Sequence, residues 1–146
     1  MDEKFVDFLK REKELTEKLL MLSNRLREAL MSQRQDLVEK ISQDQHIITA
    51  KLKEMEERRL RYMVSKLSIS RVEASQLRLS EIEKTVEGEN KIDLRRIRIA
   101  MKKIVAELQE VNTTNRLLSN RAKNSVSNII STLNSRNGRK VCDVKV

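Results

Sequence analysis

The chain of 146 residues has no proline and no tryptophan, only two glycines and one cysteine, and three aromatic residues, Phe5, Phe8 and Tyr62. Tight turns draw on proline and glycine, so their scarcity excludes a sheet meander, a phosphate-cradling loop and a strand-built active site; the fold class expected is all-α. Cys142 has no second cysteine to pair with, which excludes a disulfide framework and fits a reducing, cytoplasmic setting. No apolar run is longer than Leu19 to Leu22, so no membrane span is expected. Acids in Met1-Asp2-Glu3-Lys4 stand where an export signal carries basic and apolar residues.

Charge is plentiful, at 36% of the residues, and it is unevenly placed. Residues 1–90 hold 18 Lys/Arg and 18 Asp/Glu, whereas residues 91–146 hold 13 and 4, so the net charge of +9 lies wholly in the last stretch. The apolar remainder is mostly Leu, Ile, Val and Met, enough for thin seams between helices and not for a deep pocket.

The spacing of those residues predicts an elongated hairpin or bundle, one helical domain over residues 1–134, with helices near 2–31, 33–66, 71–86 and 91–134. In the first, steps of seven, four, three, four and three from Phe8 define a heptad seam in which Glu12 fills one slot. The second runs Leu37, Ile41, Ile48, Leu52, Met55 and Tyr62 or Met63, with Asp44 or Gln45 and then Arg59 in the gaps. Ser32-Gln33-Arg34-Gln35 and Ser70-Arg71-Val72-Glu73 have capping-box form, Gly88 can end a helix and Asn90 can cap the next. The first two helices, each roughly 45 Å long, are expected to pair antiparallel across Ser32.

The last helix is the most regular feature. Leu94, Ile97, Met101, Ile104, Leu108, Val111, Asn115, Leu118 and Ala122 alternate steps of three and four, and Val126, Ile129 and Leu133 follow after one extra step of four. From Val111 to Cys142 there is no acid, and asparagine and serine, which compete with the helical backbone for hydrogen bonds, interleave the stripe. A clean stripe of weak intrinsic helicity suggests a helix that needs a partner. The tail, residues 135–146, is basic, without periodicity, and is expected to be disordered.

Little here supports catalysis or a cofactor. His46 has no second histidine or cysteine at ligand spacing, and Cys142 has no base near it. Glu54 with Arg58 and Glu57 with Arg61 are i,i+4 surface pairs. Lys91, Arg95, Arg98 and Lys102 form a stripe that could follow phosphates, but the aromatics and motifs of a nucleic-acid binder are missing; the arginines are expected to pair with acids of the second helix, including Glu54, Glu56 and Glu57. The stripe of Leu118, Val126, Ile129, Ile130 and Leu133 has two readings. It finishes the bundle core or a homo-oligomeric coiled coil, as in a scaffold or export-stalk subunit, or it docks a client polypeptide.

The leucines and spacing of Leu19-Leu20-Met21-Leu22, Leu26, Glu28-Ala29-Leu30, Asp36-Leu37, Ile41, Ile48 and Leu52 to Glu57-Arg58-Arg59, with Leu79-Ser80-Glu81-Ile82 and the late Asn112, Asn115 and Leu118, resemble the FlgN family of flagellar export chaperones. The resemblance implies a cytoplasmic, non-enzymatic chaperone of flagellar type III export. Its protein clients would be hook-filament junction proteins, bound by their C-terminal helical ends and delivered to the export apparatus, with no small-molecule substrate. It places the client surface on Leu117, Leu118, Val126, Ile129, Ile130 and Leu133, with Asn112 and Asn115 marking its start.

Overall fold

The structure, a computed structural model, describes residues 2–136. Among them there are five helices and no strand: α1 (Glu3–Met31), α2 (Gln35–Leu67), α3 (Arg71–Gln76), α4 (Leu79–Glu83) and α5 (Glu89–Arg136). The tail expected from residue 135 and the thiol of Cys142 lie outside the described residues, apart from residues 135 and 136, which belong to α5.

Helix α1 is the central member, packing along its length against both α2 and α5, while the backbones of those two flanking helices stay apart. α2 returns antiparallel to α1. α5 runs in the same direction as α1, since Lys10 pairs with Asp93 at 3.6 Å and, further on, the Asn115 amide donates to the Ser23 carbonyl at 2.9 Å.

The α1–α2 turn corrects one expectation. Ser32 does not cap α2; it closes α1. Gln33 takes the left-handed conformation (φ 54), its N–H donates to the Leu30 carbonyl, and the N–H of Arg34 donates to the Ala29 carbonyl at 3.0 Å. This Schellman pattern satisfies the orphan carbonyls at the end of α1 and reverses the chain in three residues. The N-cap of α2 is Arg34, whose side chain makes no capping bond.

The expected helix over 71–86 is two short helices. Its start is as read, with the Ser70 hydroxyl accepting from the Glu73 N–H and the Glu73 carboxylate from the Ser70 N–H. The chain then extends through Leu77 and Arg78, and the Glu81 carboxylate accepts from the Arg78 N–H at 3.0 Å to start α4. The break has a packing cause. Leu77 and Leu79 would stand on opposite sides of a continuous helix, whereas the extended link lets both lie on the core with buried Ala74 and Ile82. Val72 is exposed. Gly88 (φ +69) carries the turn into α5, which starts at Glu89, so Asn90 lies inside the helix and does not cap it.

Two apolar clusters hold the assembly. At the base, Phe5, Leu9, Leu60, Met63, Ile82 and Leu94 are buried together, each contributing about 1.5–3 kcal/mol by removal from water. At the hairpin tip, Leu22, Ala29 and Ile41 form a smaller cluster. Polar side chains lie between the two. Arg59 donates to the buried carboxylate of Glu12 at 2.7 Å, and Gln45 donates to the Ser23 hydroxyl at 3.0 Å. Glu12 and Arg59, each an interruption of its own seam, are therefore one another's partners. Burial pushes the Glu12 carboxyl above its ordinary 4.5, a rise that the Arg59 charge and hydrogen bond only partly offset.

Candidate functional site

α5 is much longer than the surface offered to it. Its seam is occupied by the bundle through Leu94, Ile97 and Val111, all buried, and through half-buried Met101, Ile104, Leu108 and Leu118. A coiled coil with a second chain through this part of the seam would need α1 displaced. Asn115, opposite Ser23, marks the last fully enclosed layer at 6% exposure. From there α1 continues only to Met31 while α5 continues to Arg136. The difference is a projection of about 13 residues, or roughly 20 Å of helix with none of the other described helices beside it.

On that projection Val126 is 51% exposed, Ile129 58% and Leu133 50%, while Ile130 is half-buried. They continue the seam register of α5, forming an apolar ridge on the side that faced α1 lower down. No acid lies on α5 beyond Glu110, whereas Arg116, Arg121 and Lys123 flank the ridge, giving it a positive field. Hydroxyls of the serine-, threonine- and asparagine-rich half fold back onto the helix: Thr113 donates to the Gln109 carbonyl, Thr114 to Glu110 and Thr132 to Asn128. These bonds occupy groups that would otherwise compete for the backbone.

The residues named from sequence divide three ways. Leu118, Val126, Ile129, Ile130 and Leu133 share the seam register. Leu117 does not: at 55% exposure it lies on the outer face of α5, in line with exposed Ile92 and Ile99. Asn112, expected at the start of the docking surface, is exposed, whereas Asn115, expected beside it, is turned inward onto the Ser23 carbonyl. Its side-chain oxygen is buried without a hydrogen-bond partner among the described residues. What sequence reasoning missed is the three-helix polar layer of Ser23, Gln45 and Asn115. The only signals were the gap at Gln45 and the asparagine in an otherwise apolar seam.

Two of the four cations of the basic stripe are engaged by one buried acid. The Nε groups of Arg95 and Arg98 donate to the two carboxylate oxygens of buried Glu83 at 2.7 and 2.8 Å, clasping α4 onto α5. The expected partners were acids of α2, so this is a correction. The two hydrogen bonds hold the Glu83 carboxyl below its ordinary 4.5. Arg58–Glu54 and Arg61–Glu57 form as the i,i+4 pairs expected, and Glu57 also takes Arg71 at 2.6 Å, which pulls its carboxyl down. His46 is exposed. No group of three metal-ligating side chains, and no helix long and apolar enough to cross a membrane, occurs among the described residues.

The fold is an all-α bundle in which one long helix outruns its supports among the described residues. Its lineage follows from sequence comparison: the FlgN protein family matches residues 1–142, nearly the whole chain, and the chain belongs to that family of flagellar chaperones. Comparison with curated proteins and with solved structures gave no match.

Proposed function

We propose that the protein is a cytoplasmic flagellar export chaperone that holds the C-terminal helical ends of hook-filament junction proteins on the projecting part of α5 and hands them to the export apparatus. The contact surface is Val126, Ile129, Ile130 and Leu133, with half-buried Leu118 below it where the bundle ends. Leu117, on the opposite face, and Asn115, in the bundle, lie off this surface, and exposed Asn112 lies below it. The observation that carries the reading is the exposure of Val126, Ile129 and Leu133 on one helix whose lower seam is filled. Covering the exposed halves of these four side chains would contribute roughly 3–6 kcal/mol gross, and ordering a client terminus removes a comparable share, leaving a complex that can be released at the export gate.

The test is binding of a labelled junction-protein C-terminal segment by fluorescence anisotropy. Val126→Asp with Ile129→Asp should weaken capture by at least roughly tenfold, the equivalent of about 1.4 kcal/mol, with the helical signal of the bundle unchanged. Undiminished capture, or collapse of the whole fold, would reject the ridge as the docking surface.

A further inference from the structure

The hairpin carries a second apolar strip, made by α1 and α2 alone, sheltered on its floor at Leu22, Ala29 and Ile41 and open along its rim. On α1, Leu15, Leu22 and Ala29 follow at seven-residue steps; on α2, Met55, Ile48 and Ile41 do the same in reverse. Between the two rows lie three open cavities of 510, 290 and 270 Å³. They form one groove, because Lys18 borders two of them and Leu22 and Asp44 border another two. No residue of α5 lines it. Met21, 46% exposed, and Ile47, 54% exposed, stand on its rim. From Leu15 to Ala29 the floor is roughly 21 Å long, about two heptads of a docked helix.

Its charge selects the occupant. Arg11, Lys18, Arg25, Lys40 and Lys51 border the groove, and none has an ion-pair partner among the described residues. The free carboxylates are fewer: Glu14, Glu28 and Asp44, since Glu54 is taken by Arg58. A second copy laid on the groove would bring the same excess of unpaired cations face to face, Lys18 near Arg25 about a two-fold at Met21. The projecting end of another copy's α5 is excluded by the same sign, with Arg116, Arg121 and Lys123 and no acid. We infer that the α1–α2 groove is a docking site for an acidic amphipathic helix of a partner protein, apolar at heptad positions and carboxylate-flanked, separate from the α5 ridge. The surface stands whether or not the ridge takes a junction-protein terminus.

Two labelled peptides of about 18 residues, long enough to span the groove, serve as probes. Both carry leucine at the heptad core positions; one has glutamate and the other lysine at the flanking positions. The glutamate peptide should bind the full-length protein, with affinity falling as salt is raised, and the lysine peptide should not. Lys18→Glu with Lys51→Glu should weaken the glutamate peptide by about tenfold or more, Lys18→Gln with Lys51→Gln by less, and Ile129→Asp should leave it unchanged. Equal binding of both peptides, or no effect of the lysine substitutions, overturns the proposal. Loss with Ile129→Asp overturns it too, by moving the peptide to the ridge. A dimer that dissolves in Met21→Glu with Ile47→Glu would show a second copy as the occupant. The ridge is judged separately by its junction-protein segment, so the two readings fail independently.

Discussion

Arg59→Met should be among the most damaging single changes to the α1–α2 pairing. The guanidinium and the Glu12 carboxylate meet at 2.7 Å with side-chain exposures of only 14% and 7%. Methionine fills nearly the same volume, so the loss is electrostatic: a carboxylate remains between two helices with nothing to answer it. Breaking a desolvated pair in this way costs about 3–5 kcal/mol, a large share of the stability of a domain this size. Removing both charges should behave differently, and Glu12→Leu with Arg59→Met should regain the wild-type value or exceed it by about 1–4 kcal/mol. The pH response supplies a second readout. Glu12 already has a raised carboxyl, so its contribution is fully present below the unfolded value and is lost as pH rises through the folded one. Without Arg59 the folded value climbs further, and the single variant should become more stable relative to wild type as the solution is acidified from neutral toward pH about 5. Urea unfolding followed by circular dichroism measures both effects. A loss below about 1 kcal/mol at neutral pH, or no recovery on acidification, would refute the view that this pair is held away from water.

Three further outcomes are expected. Gln33→Gly should stabilise the protein by about 1 kcal/mol in thermal or urea melts, because a residue with a Cβ now occupies the left-handed position; an unchanged or lower midpoint would contradict the Schellman turn. Tyr62 is the only tyrosine, and its phenol is pushed up to about 12 by burial and then by its hydrogen bond to Asp2. An ultraviolet titration should therefore show phenolate appearing well above the ordinary 10.0, Asp2→Asn should lower that midpoint, and a wild-type midpoint near the ordinary value would dissolve the contact. The lowered carboxyl of Glu83 contributes stability that is present above its ordinary 4.5 and lost as pH falls through the folded value. Glu83→Gln should then be less stable than wild type at neutral pH and flatter below 4.5, and identical acid unfolding in the two proteins would deny the clasp its role.

The helical class and the seams of α2 and α5 were legible because burial follows apolar spacing: Ile41, Leu94 and Ile97 are sheltered as their periodicity requires. α1 was half read. Its seam toward α2 stood out, but the second buried line of Leu9, Thr16 and Ser23, at seven-residue steps, carries two hydroxyls and gives no hydrophobic signal. Glu12 and Arg59 looked like interruptions for the same reason, since a count of apolar residues registers a gap and not the partner that fills it. Ser32 has the composition of a helix start and the backbone of a helix end, a distinction made by the φ of Gln33. For the candidate site, the ridge could be read from its spacing, but where it becomes bare could not. That point depends on how far α1 reaches beside α5, and Asn115 and Leu117 fall on either side of a distinction only three dimensions make.

The staggered lengths of the helices also act as an end-stop. A helix laid along the bare part of α5 can slide toward the base only until it meets the chain reversal at Ser32, Gln33 and Arg34. Its depth of engagement is then set by a wall as well as by side-chain fit. One more heptad in each arm of the hairpin would move that wall outward by roughly 10 Å and halve the track, without altering a single residue of α5.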